Sequence, residues 1–161
     1  INVWDRIIAF EGRMHEFIKA AYDYQDNTFY SHPGYYIDYF EMRLAQLQVL
    51  HNLHYEIKKI RKMPKQALVI ADYIMYMADY VVEMNIPDQQ IEKLEEISEQ
   101  MKQEELPKTR EGRALLYHIL MDLEEFLVYK KRFVNGLDEK KLRIYWKQEM
   151  EQKDSANELQ K

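Results

Sequence analysis

Between Gly34 and Arg61 the chain reads GYYIDYFEMRLAQLQVLHNLHYEIKKIR, and its apolar positions recur at helical spacing. At about 100° per residue, Tyr36, Phe40, Leu47 and Leu50 fall on one broad stripe, and Arg43, His51 and His54 fall on it as well. Glu41, Gln48, Asn52, Glu56 and Lys59 gather on the other side, the expected solvent face. An apolar stripe drives a helix against its neighbours. A charge placed on that stripe costs several kcal/mol unless it is paired. The stripe therefore holds either an internal ion pair or a ligand site.

The same periodicity predicts helices along most of the chain. A first helix runs from about Val3 to Tyr22 on Val3, Ile7, Phe10, Met14, Phe17, Ile18 and Ala21. A turn-rich connector, Asp26 to Gly34, leads into the long second helix, which ends near Met63-Pro64 because the residue before a proline avoids the α region. The third helix is expected from about Lys65 to Met84, and Asn85 and Pro87 break it. The fourth, roughly Asp88 to Glu105, carries a thin seam of Ile91, Leu94, Ser98 and Met101. Thr109 reads as the N-cap of a fifth helix that packs through Leu116, Ile119, Leu120, Leu123, Phe126 and Leu127 to about Phe133. Asn135-Gly136 is a stop signal. From Leu137 the sequence is helical but very polar, with 151–161 expected to fray. Short connectors between long helices predict an all-α fold, an antiparallel bundle of four to five long helices with a polar C-terminal helix.

Composition narrows the function classes. A length of 161 residues suits one domain, 1–161, with a full core. Four Gly and four Pro are too few for the turns of an all-β chain, and the absence of Cys excludes disulfides and thiolate chemistry. A net charge of −5 gives no general electrostatic case for nucleic acid. No uncharged apolar run reaches the ~18 residues of a membrane span; Ala67 to Val82 comes nearest and is interrupted by Asp72 and Asp79. The chain opens on Ile1 with no basic-then-apolar signal segment, and is expected to be the soluble C-terminal part of a longer polypeptide.

Two stretches carry a resemblance. One is Tyr39-Phe40-Glu41-Met42-Arg43-Leu44-Ala45-Gln46-Leu47-Gln48-Val49-Leu50. The other is Leu106-Pro107-Lys108-Thr109-Arg110-Glu111, followed by Arg113-Ala114-Leu115-Leu116 and Asp122-Leu123-Glu124-Glu125-Phe126-Leu127. Both resemble the C-terminal domain of the putative aromatic acid exporter family of Gram-positive bacteria, from the first helix to about Phe133. The motifs are helix-packing patterns rather than a chemical signature, and the segment between Thr109 and Arg113 is shorter here than in the family. The resemblance implies an N-terminal transmembrane region in the same polypeptide. It places this domain on the cytoplasmic side of the cell membrane, as an accessory or regulatory part of a transporter and not an enzyme, with no cofactor.

On that resemblance, the stripe can sense a substrate. Arg43 offers a planar fork for a carboxylate, with His54 on the same stripe, and Tyr36, Tyr39 or Phe40 supplies an aromatic wall. The competing reading is internal. Glu11 lies in the apolar stripe of the first helix, and a Glu11–Arg43 or Glu11–His54 pair satisfies both groups. A rival from another class is a metal-dependent bundle enzyme with Glu11, His51 and His54 as ligands, although neither paired Glu-x-x-His motifs nor HExxH occurs. His118 and Asp122 read as a surface i,i+4 pair, and Asp72, Asp79 and Glu83 as a solvated strip of the third helix. Basic clusters at Lys58, Lys59, Arg61, Lys62 and Lys65, and at Lys130, Lys131 and Arg132, complement helix C-termini; contact with anionic lipid is the functional alternative. Tyr73, Tyr76 and Tyr80 read as core rim or oligomer interface, and Leu142, Tyr145 and Trp146 as a small docking face for the bundle or a second subunit. A ligand-free interaction or oligomerisation domain remains the third alternative.

Overall fold

The structure is a computed structural model that describes residues 33–104 and 106–146 and, before them, residues 5, 8, 9, 11–13, 15, 16 and 19. It is all-α, with no strand among the described residues. The described residues between 5 and 19 are helical and are termed α1. Then come α2 (Pro33–Ile57), a 3₁₀ segment (Lys58–Lys62), α3 (Pro64–Ala78), α4 (Asp88–Glu104) and α5 (Arg110–Asn135). Residues 139–146 form α6. The apolar set predicted for the first helix, the connector before Pro33 and the tail 151–161 lie outside the described residues.

Three boundaries show how neighbours shape the elements. The α-helical part of α2 closes at Ile57, and the chain tightens into the 3₁₀ segment before Met63, which bonds back to the Ile60 carbonyl at 2.8 Å. Pro64 then opens α3 at the position where its missing N–H costs nothing. The end of α3 departs from expectation: it stops at Ala78, not Met84. Val81 and Val82 are β-branched and weak helix formers. Lys130 Nζ also donates to the carbonyls of Val82 at 2.8 Å and Glu83 at 2.6 Å, giving them partners outside a helix. Asp79 and Glu83 therefore leave the strip they were expected to share with Asp72. At α5, Thr109 Oγ1 accepts from Gly112 N at 3.0 Å, as expected of an N-cap.

α2 packs most extensively against α5, and the register runs antiparallel. Tyr35 meets Phe133, Gln46 bonds to the Phe126 carbonyl, and Glu56 faces Asp122. Asp88 at the start of α4 pairs with Lys131 near the end of α5, so these two helices also run antiparallel. The main core joins Leu50, Leu53 and Ile57 of α2 to Ile70, Ile74 and Met77 of α3, Leu94 and Met101 of α4, and Ile119, Leu123 and Phe126 of α5. A second, aromatic cluster gathers Tyr35, Tyr36, Tyr39 and Phe40 around Val134 and Trp146. Trp146 docks α6 on the bundle by donating to Tyr35 Oη at 3.0 Å. Tyr73 is core, with its hydroxyl on the Gln90 carbonyl at 2.7 Å, while Tyr76 carries Lys93 Nζ over its ring at 4.0 Å. Among the described residues no helix is long and apolar enough to cross a membrane.

Candidate functional site

Arg43 lies on the α2 face that meets α5, and only 1% of it is exposed. Its Nη1 donates to Gln46 Oε1 at 2.7 Å and its Nε to Tyr39 Oη at 3.1 Å. Gln46 passes the network on by donating to the Phe126 carbonyl at 2.8 Å. Lys130, 4% exposed, stands across from Arg43 on α5. Burial, with the Arg43 charge nearby, pushes its ammonium down to about 6 against the pull of Glu83. Tyr35 Oη donates to Glu83 Oε1 at 2.7 Å, and burial together with that carboxylate raises its pKa.

The space beside Arg43 and Lys130 is about 10 Å³. That holds one water, against the ~300 Å³ or more of an ordinary ligand pocket. Tyr36 and Tyr39, expected to wall an aromatic ligand, are packed inside the aromatic cluster. The geometry here is that of a brace between α2, α5 and the 79–87 connector.

Of the two partners expected for Glu11, His54 is bonded, with Nδ1 at 2.9 Å from Glu11 Oε1. His51 does not join them. It is exposed, and its ring lies 6.3 Å from that of His15. The alternative metal set of Glu11, His51 and His54 is thus not gathered here, since Glu11 and His54 pair with each other while His51 is exposed. Among the described residues no group of three or more His, Asp or Glu converges to hold a metal ion. Lys130 is also not a surface cation open to lipid, since it is buried, and Lys131 is engaged by Asp88.

A larger space lies at the other end of α2. A groove of about 1110 Å³ runs between the 3₁₀ segment, the start of α3 and the connector that leads into α5. Met63, Pro107 and Leu115 supply its apolar wall, and Lys59, Lys62, Lys65 and Lys108 its cations. The connector is fixed in place by Arg113, whose Nη1 donates to the carbonyls of Pro107 at 3.2 Å and Lys108 at 3.3 Å. Gly112 permits the close approach: a Cβ there would stand 2.9 Å from Pro107 Cβ, 2.9 Å from Thr109 Oγ1 and 3.2 Å from Met63 Sδ.

Glu56 forms part of the groove, not of a solvated face as its helical position suggests. It meets Asp122 of α5, so Asp122 turns inward instead of forming a surface pair with His118. Glu56 Oε2 and Asp122 Oδ2 are both shielded from solvent, and neither has a hydrogen-bond donor. Two bare carboxylates offer each other only acceptors, so their juxtaposition disfavours a charge on both. Burial first, then the bond to Asp122 and its charge, push the Glu56 carboxyl up to about 8, while Lys59 pulls it down. Sequence reasoning missed this site because its walls come from 56–66 and 106–118, far apart in the chain. The one local signal was a glycine in the first turn of a helix just after Pro107.

Residues 4–131 match the family described as "Putative aromatic acid exporter C-terminal domain". The uncharacterized protein YqjA of Bacillus subtilis (strain 168) is 26% identical over 118 residues, which cover 71% of this chain and 37% of that protein. The chain thus spans little more than a third of that relative's length. No solved structure matches it.

Proposed function

The chain belongs to the putative aromatic acid exporter C-terminal domain family, and from that premise we propose that it is a regulatory domain on the cytoplasmic side of an exporter, one that senses an aromatic carboxylate. It acts through helix packing against the transmembrane region of the same polypeptide, with no chemistry of its own. The observation that carries this reading is the groove. Its lysines suit a carboxylate, its Met63–Pro107–Leu115 wall suits a ring, and its volume of about 1110 Å³ accommodates both. The Arg43 region supports sensing less well, because its charge is already bonded to Gln46 and Tyr39 and its free space is about 10 Å³.

Thermal and urea melts with benzoate and hydroxybenzoates, against benzamide and benzyl alcohol at matched concentration, test this. A carboxylate at 100 times its dissociation constant adds about 2.7 kcal/mol of stability. The uncharged analogues add far less, and Lys59→Glu with Lys62→Glu abolishes the gain. Equal stabilisation by benzamide, or an unchanged gain in the lysine variant, overturns the reading.

A further inference from the structure

We propose that Glu56 and Asp122 form a proton-controlled latch on the groove: sharing a proton, they hold the end of α2 against α5 and leave the groove receptive to an anion, and ionised, they repel each other and the anion alike. The consequence for the ligand rests on the groove reading above; the latch itself does not.

Three observations meet at this point. First, a carboxyl oxygen of Glu56 and one of Asp122, on different helices, are screened from solvent and have no donor, and the two side chains interact; like charges so placed favour a state with one proton between them. Second, Glu56 sits one residue before the last residue of α2, where the helix gives way to the 3₁₀ segment. A 3₁₀ turn has poorer hydrogen-bond geometry than an α-helix and often marks a hinge, so repulsion at Glu56 acts where the chain yields most easily. Third, Glu56 and the lysines face the same groove.

The charged groups around the pair fix the sign. Asp122 on α5 opposes ionisation of Glu56, and Lys59 on the 3₁₀ segment favours it. His118 and Glu111 on α5, with Lys62, Lys65 and Lys108, border the same groove. The cations outnumber the acids around the mouth, so an anion is drawn in; each charge that appears on the Glu56–Asp122 pair weakens that pull. By reciprocity, a bound anion makes the pair harder to ionise.

The test uses the chain as it stands, with amide hydrogen exchange and benzoate titration from pH 6 to 9. In the wild type, exchange across 56–62 quickens with pH beyond its intrinsic rate, and benzoate affinity falls about tenfold, the effect of one unit charge at roughly 10 Å and an effective dielectric of about 20. Glu56→Gln keeps the bond to Asp122 without a titrating proton and flattens both profiles. Asp122→Asn does the same from the other helix and serves if the first variant folds poorly. A wild-type exchange profile that both variants reproduce overturns the latch. If exchange responds as expected but benzoate binds at no pH, the latch stands and the ligand reading fails.

Discussion

At the aromatic end of the bundle, buried cations meet oxygens: Arg43 reaches Gln46 and Tyr39, and Lys130 reaches the carbonyls of Val82 and Glu83. At the groove end, two carboxyls meet each other. Both regions take ionisable groups out of water, yet the first closes down to a space of about 10 Å³ and the second borders about 1110 Å³. Donors facing acceptors let side chains and backbone pack tightly, whereas acceptors facing acceptors need a proton from outside. The two ends therefore answer pH with opposite signs. Lys130 is depressed to about 6 in the folded chain, so the unfolded chain binds more protons above that value, and stability from this group rises between about pH 6 and 10.5. Glu56 is raised from 4.5 to about 8, so the folded chain binds more protons, and stability from this group falls as pH rises across that interval.

The largest effect separating the ends is expected from Arg43→Ala. It leaves Gln46 Oε1 without its donor and opens a cavity in a region with almost no free space. Truncating a large side chain in a close-packed core costs about 2–5 kcal/mol, a large part of the 5–15 kcal/mol typical of a whole domain. Urea melts should show the midpoint fall with an unchanged slope, and benzoate affinity of the folded fraction should hold. A loss under about 1 kcal/mol would mean that the aromatic end is not the tightly braced one.

Lys130→Met comes next. It removes the donor from two carbonyls, at a cost of about 2–3 kcal/mol near pH 9. The sign follows from the depressed ammonium: the wild type loses stability as pH falls toward 6 and the variant does not, so the gap between them narrows on acidification. Melts of both proteins at pH 6 and pH 9 check this. A gap that widens at pH 6 would show that Lys130 is stabilised, rather than penalised, in its charged form. Glu56 titrates in both proteins and cancels from the comparison.

How much of this was legible in the sequence differs between the same two ends. The all-α fold, the N-cap at Thr109 and the start of α4 at Asp88 follow from local patterns, because periodicity and capping are properties of neighbours in the chain. The burial of Arg43 was legible from its place on an apolar stripe, but its partner Gln46 was not, since glutamine on a helix carries no sign of being inside. The early end of α3 was hidden because the donor that replaces its last turn, Lys130, lies about fifty residues further on. Lys130 itself looked like one of a run of surface cations. Glu56 was misjudged by the same logic in reverse: its angular position is polar, but α5 crosses close enough at Asp122 to shield it. The groove needed two distant segments to be brought together, and helical periodicity says nothing about that.

The smallest effect gives the finest comparison, because one substitution can be made at both ends. Gly34 begins α2 at the aromatic end, and a Cβ added there meets nothing within 4 Å. Gly34→Ala should therefore gain up to about 0.5–1 kcal/mol from helix propensity and from a less flexible unfolded chain. Gly112 in α5 receives the same gain, but its new Cβ lands 2.9 Å from Pro107 Cβ and 2.9 Å from Thr109 Oγ1, with Met63 Sδ at 3.2 Å. Met63 is flexible and can give way. The Pro107 ring cannot, and Thr109 Oγ1 is the atom that caps Gly112 N. Overpacking of this kind costs about 1–3 kcal/mol, and a lost cap about 1, so the sign reverses and Gly112→Ala should be net destabilising by at least about 1 kcal/mol. The displaced 106–109 connector forms a wall of the groove, so Gly112→Ala should also weaken benzoate binding, while Gly34→Ala leaves it unchanged. Thermal melts and titrations on the two variants read both effects. Equal, favourable shifts at the two glycines would mean that the connector does not press on α5, and that the groove wall is held by Arg113 alone.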